Sequence, residues 1–198
     1  MNANKLITKK IIKMKKIRQI AMLAITALVV NASYAQMEKT KMVGGAAMYP
    51  SKNIIQNAVN SKDHTTLVAA VKAAGLVETL SGDGPFTVFA PTNAAFSALP
   101  KGTVETLLKP ENKSMLSGIL TYHVVSGRMS SLDIMKAIKA GGGTATLKTV
   151  AGGNIYVMRK GNRLMIKDEK GGVSSITIKD VFQSNGVIHV INKVLLPK

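Results

Sequence analysis

GPFTVFAPTNAAF, residues 84–96, is the stretch of this 198-residue chain from which the fold is best read. Gly84 and Pro85 form a turn signal. Phe86, Thr87, Val88, Phe89 and Ala90 then give a short aromatic and β-branched run suited to a buried strand. Pro91 lacks an N–H and stops that strand. Thr92 next offers its hydroxyl as the N-cap of a short helix, which carries Ala95 and Phe96 back onto the sheet and ends before Pro100.

Working outward, residues 122–125 read as a strand closed by Ser126 and Gly127. Residues 187–196 read as another, apolar on both faces and therefore central, fed by a tight turn at Ser184, Asn185 and Gly186. Helical spacing appears upstream in Ile54, Ile55, Ala58 and Val59. It appears again in Leu67, Val68, Val71 and Ala74, where Asp63 is the expected cap and Gly75 the terminator. Further helical spacing follows at Val104, Leu107 and Leu108, and at Met115, Leu116, Ile119 and Leu120. Ser130 or Ser131 caps a helix bearing Leu132, Met135 and Ile138, which the run Gly141, Gly142 and Gly143 ends.

Beyond that run the pattern turns to sheet. Ile155 and Val157 alternate with Tyr156 and Met158, Gly161 and Asn162 turn the chain, and Leu164 and Ile166 resume the alternation. This is a hairpin. One more strand falls around Ile176 and Ile178. Helices in the first half and strands in the second argue for α+β, without an internal repeat.

The N-terminus sets the compartment. Lys5, Lys9, Lys10, Lys13, Lys15, Lys16 and Arg18 precede an apolar run over residues 20–30, and Ser33 and Ala35 supply the small side chains a signal peptidase reads. Residues 1–35 are therefore expected to be an export signal cleaved after Ala35. Residues 36–50 follow as a flexible leader and residues 51–198 as the folded domain. As a helix the apolar run rises only about 16 Å, half a bilayer core, which disfavours a stable membrane anchor. About 160 residues remain after cleavage, enough for one domain with its own core. The signal holds seven of the 27 basic residues and none of the 10 acidic ones, so cleavage lowers the formal charge from +17 to +10. The chain has no cysteine, which excludes disulfides, thiolate metal sites and lipidation through a cysteine.

Three blocks carry a resemblance: residues 84–96, residues 122–127 (YHVVSG) and residues 184–197 (SNGVIHVINKVLLP). Together, in this order, they resemble the signature blocks of the fasciclin domain, and the similarity runs over about residues 54–197. The resemblance implies a compact wedge of β-strands flanked by several short helices. It also implies adhesion or matrix association outside the cell, through contacts with a surface or matrix protein, and the positive charge of the mature chain adds an anionic glycan as the other kind of partner expected. Thr92, Asn93, Phe96, Tyr122, His123, Asn185, Gly186 and His189 are the motif residues, structural or partner-binding. In animal matrix proteins of the family the region around the tyrosine and histidine contacts integrin. Where many relatives carry an acidic residue after the histidine-bearing strand, this chain has Asn192.

The residues themselves favour structure over chemistry. His64, His123 and His189 lack metal-ligand spacing, so no metal site is expected. His123 and His189 sit in apolar strands, where a buried imidazole is held by a backbone or hydroxyl partner. Read as strand neighbours, Tyr122 and His123 face opposite ways, so at most one meets a partner. No phosphate loop or nucleophile elbow is present. Asp133, Asp168, Glu169 and Asp180 form no catalytic pair, so an enzyme is not expected, nor any cofactor. Arg159, Lys160, Arg163 and Lys167 cluster about the hairpin turn as a candidate anion-binding patch sensitive to salt. No long basic run points to nucleic acid. The second functional reading is a periplasmic or extracellular carrier of a small lipid or glycan, and the third a hydrolase. The triplet Asn112, Lys113 and Ser114 is an N-glycosylation sequon for a host that glycosylates.

Overall fold

The computed structural model describes residues 40–198; the expected export signal and cleavage point, and residues 36–39, lie outside the described residues. The chain is α+β. Two short strands, β1 (Lys41–Val43) and β2 (Ala46–Met48), form a hairpin and precede helix α1 (Ile54–Ala58). A 3-10 turn over Lys62–His64 leads into α2 (Thr65–Ala74), α3 (Val77–Ser81) and β3 (Phe86–Pro91). Then come α4 (Asn93–Ser97), α5 (Thr103–Leu107), α6 (Lys113–Tyr122), β4 (Val124–Ser126) and α7 (Ser131–Ala140). Five strands complete the domain: β5 (Thr144–Lys148), β6 (Asn154–Lys160), β7 (Arg163–Lys167), β8 (Val173–Gln183) and β9 (Gly186–Ile191).

Seven strands form one sheet in the order β4-β3-β9-β8-β7-β6-β5. All neighbours are antiparallel except β3 and β9. The sheet curls until its two ends meet. Thr149, just past β5, bridges Val125 of β4, and the Val150 N–H donates to the Val124 carbonyl. Closing the ends in this way leaves less unpaired edge.

Strands β3 and β9 lie at the centre, and every residue of β9 is buried. Their alternation splits the core in two. Val88, Ala90, Ile188 and Val190 face one apolar cluster with Ile54, Leu67, Val71 and Leu116 from the helices. Phe89 and Ile191 face the other, with Ile155, Val157 and Ile166 from the curled strands and Ile134 and Ile138 from α7. Helix α7 starts with a capping box, in which Ser130 and Asp133 satisfy each other's backbone N–H groups.

Four expectations need correction. The flexible leader over residues 36–50 is not flexible from Lys41 onward: residues 41–48 are the β1–β2 hairpin, with Val43 and Met48 each 3 % exposed in the first core cluster. Gly44 and Gly45, both at positive φ, supply the two-residue turn. Order therefore begins before residue 51. Second, Asp63 does not cap α2; it lies in the 3-10 turn, and the Thr66 N–H is taken by the Asn93 side chain instead. Third, Tyr122 is the last residue of α6 and His123 its cap, so the strand begins only at Val124. Fourth, the final strand stops at Ile191. Asn192 there turns its Oδ1 to accept from the Ser175 N–H and the Ser174 hydroxyl, tying the exit loop to β8.

Candidate functional site

The motif residues form a bracing network through the middle of the wedge. Thr92 caps α4 by accepting from the Ala95 N–H, and Phe96 packs into the first core cluster. Asn93 reaches back to α2: its Oδ1 accepts from Thr66, and its Nδ2 donates to the Lys62 carbonyl and the Thr65 hydroxyl. Asn185 does the same at the other end. Its Oδ1 accepts from the Ile54 N–H opening α1, while its Nδ2 donates to the Leu80 and Gly82 carbonyls closing α3. Gly186 is needed for close approach, because a Cβ there would collide with the Phe86 carbonyl of the neighbouring strand.

His189 is fully buried and stacks on Phe89, its neighbour across the parallel ladder, with ring centroids 5.7 Å apart. Its Nδ1 accepts from the Asp180 backbone N–H at 3.2 Å, so the proton sits on Nε2, which donates to the Met129 carbonyl at 2.9 Å. Asp180 is held in turn: its carboxylate accepts from the N–H and hydroxyl of Ser131 at the start of α7. The residue sits at φ 58° in the irregular stretch of β8. This chain of contacts joins β9, β8 and α7.

Tyr122 and His123 bind a second seam. The Tyr122 hydroxyl donates to the Asn154 carbonyl at 2.6 Å and accepts from the Glu169 N–H at 3.1 Å. His123 carries its proton on Nδ1, which donates to the Ile119 carbonyl, and its Nε2 accepts from the Leu195 N–H at 2.9 Å. The two side chains are 0 % and 3 % exposed, so neither reaches the surface. Burial pushes the Tyr122 phenol up and the His123 imidazole down to about 4. Burial also lowers His189 and His64. The His64 Nδ1 meets the Ser61 hydroxyl at 2.8 Å, while its Nε2 is buried without a hydrogen-bond partner. Tyr122, His123 and His189 are thus uncharged groups at neutral pH, with their polar atoms committed to internal hydrogen bonds.

The four cations assigned to the hairpin do not all line one groove. Arg159 and Arg163 line one groove together with Lys179. Lys167 lines a different hollow, among Tyr156, Asp168 and Glu169, and Lys160 stands opposite Arg163 at the turn. Lys179 was missed because it lies on β8, far from the hairpin in sequence. Gln183 was also unforeseen: it buries its amide with neither end hydrogen-bonded, and nothing in the structure explains this.

Among known families, the fasciclin domain matches residues 62–197. This chain belongs to the fasciclin family. Protein sll1483 of a Synechocystis strain is 45 % identical over 85 % of this chain and 87 % of its own length. The immunogenic protein MPB70 of Mycobacterium bovis is 37 % identical over 71 % of the chain and 66 % of the relative. Human periostin is 32 % identical over 72 % of the chain, which spans only 16 % of that much longer protein. In structure, the fasciclin chain resembles a FAS1 domain pair from the insect cell adhesion molecule Fasciclin I, with a TM-score of 0.68 at 19 % identity. That match covers 75 % of this chain and 52 % of the other. It establishes the fold. No enzyme family is indicated by the fasciclin match or these relatives.

Proposed function

We propose that this fasciclin protein is an exported module for cell-surface or matrix adhesion, acting through surface contacts with a protein or an anionic glycan. The observation that carries the reading is where the chemistry-bearing side chains go. Tyr122, His123, Asn185 and His189 each hydrogen-bond a backbone group of another element, so the signature acts as a frame and leaves contact to the exposed surface. That surface is basic, and a single ion pair, Lys136 with Asp133, is formed among the described residues. The family membership and the likeness to a domain pair from a cell adhesion molecule support the same reading.

A lipid-carrier reading finds less support. The apolar hollow between the helices and the sheet, bordered by Ile54, Leu67, Val71 and Val88, measures about 50 Å³. That is roughly the volume of one or two waters, far below a lipid chain. No helix among the described residues is long and apolar enough to cross a membrane.

Deleting the gene and scoring attachment or aggregation of the host's cells tests the proposal. Attachment is expected to fall and to return on complementation with the full chain, and the complementing exported material is expected to begin at Gln36 by intact mass. Unchanged attachment overturns the adhesion reading. A retained Met1 on exported material overturns cleavage alone.

A further inference from the structure

The ladder between β7 and β8 ends at Met165 opposite Ser175, and beyond that pair the two strands part. From there β8 turns to β9, with register shifts after Ile176 and Ile178. The parting leaves a groove of about 770 Å³, within the range of small-ligand sites. Arg159, Arg163 and Lys179 line it, one from each of three successive strands, and all three are exposed. No carboxylate lines the groove, and none of the three cations is paired with one among the described residues. The nearest carboxylate in sequence, Asp180, is already taken up by Ser131.

Arg159 is also held in place. Its Nε donates to the Gly161 carbonyl at 2.7 Å, which fixes the guanidinium over the hairpin turn and reduces the ordering cost of binding. Ser175, Thr177 and Asn192 also line the groove; the Thr177 hydroxyl donates to the Val190 carbonyl and the Asn192 Oδ1 accepts from Ser174 and Ser175, which leaves the Asn192 amide N–H groups and hydroxyl lone pairs for a ligand.

We propose that this groove is the binding site for an anionic polysaccharide, with Arg159, Arg163 and Lys179 on its sulfate or carboxylate groups and the hydroxyl and amide side chains on its sugar hydroxyls. The inference rests on the adhesion reading and names the partner class within it. Three cations spaced across parted strands suit charges repeated along a chain better than a single small ion. Nucleic acid fits less well, because the groove carries no aromatic side chain on which a base would stack.

The test uses the full chain, with heparin as the sulfated probe, polygalacturonate as the carboxylate probe, neutral dextran and a single-stranded DNA oligonucleotide. Two triple variants remove equal charge: Arg159→Ser, Arg163→Ser and Lys179→Ser in the groove, and Lys101→Ser, Lys109→Ser and Lys113→Ser elsewhere. The parent is expected to bind one or both anionic glycans, weakening with salt, and to ignore dextran. The groove triple should lose at least about tenfold in affinity with an unchanged melting temperature, and the distant triple less than about twofold. Heparin against polygalacturonate identifies whether sulfate or carboxylate is preferred.

Equal losses in both triples would reduce the effect to net charge and overturn the site. Tighter binding of DNA than of either glycan would overturn the partner class. A parent that binds neither glycan while its gene still supports attachment would sink the groove and leave adhesion standing. Glycan binding without any attachment phenotype would do the reverse.

Discussion

His189→Ala is expected to cost about 3 to 4 kcal/mol, one of the largest losses available from a single side chain in this fold. The substitution removes a fully buried ring stacked on Phe89 and leaves a cavity at the centre of the sheet. It also strands two buried backbone groups, the Asp180 N–H and the Met129 carbonyl, each of which costs about 1 to 3 kcal/mol when unpaired. The upper end of a simple sum is not reached if water enters the space and repairs one bond. For a domain of this size the melting temperature should fall by about 10 °C. Thermal denaturation followed by circular dichroism checks this, and unchanged stability together with lost partner binding would mark His189 as a ligand residue.

Acid should destabilise the protein well above the pH at which carboxylates titrate. His123 is held at about 4 in the fold against an ordinary value of 6.5, because burial disfavours the imidazolium. The unfolded chain therefore takes up the proton first as pH drops. Stability from His123 is complete above about pH 6.5 and is lost as pH falls toward about 4, by roughly 3 kcal/mol in all.

His189 and His64 shift the same way and add to the slope. The charges acting on these groups are few. Asp168 raises His123 and Asp63 raises His64; Asp180 raises His189, whereas Lys41 and Lys179 lower it, and burial outweighs each. Urea denaturation across this pH window should show a steadily falling midpoint. His123→Gln should be less stable at neutral pH yet lose part of the slope. A midpoint flat between pH 6.5 and 4 would contradict the buried, neutral imidazoles.

Much of this architecture could be read from local patterns. Pro91, Thr92 and Phe96 specify a strand stop, a cap and a return to the core by backbone chemistry alone, and the structure has all three. The apolar run after Gly186 announces a strand covered on both faces, which β9 is. What local pattern could not give was partnership. Tyr122 and His123 alternate convincingly as strand residues, but the packing of α6 carries its helix two residues further, to Tyr122, and the pair ends up buried, each with its own hydrogen-bond partners along the same seam.

The β1–β2 hairpin was hidden because Ala46 and Ala47 give weak strand signals. Its stability comes from Val43 and Met48 finding the helical core. Asn93 and Asn185 act over separations of 27 and 131 residues as caps for other elements, which no window along the chain displays. The basic groove likewise depends on where β8 parts from β7, so Lys179 could not be joined to Arg159 and Arg163 beforehand.

The central claim is that the signature residues build the frame and the exposed surface makes the contact. Tyr122→Phe tests it most directly, since the change removes one hydroxyl, with its bonds to Asn154 and Glu169, and leaves the surface alone. Its stability should fall by about 1 to 3 kcal/mol. Capture of components from the host's native surface, measured on the full chain while the variant remains folded, should equal that of the parent. A folded Tyr122→Phe protein that no longer captures what the parent captures would contradict the account.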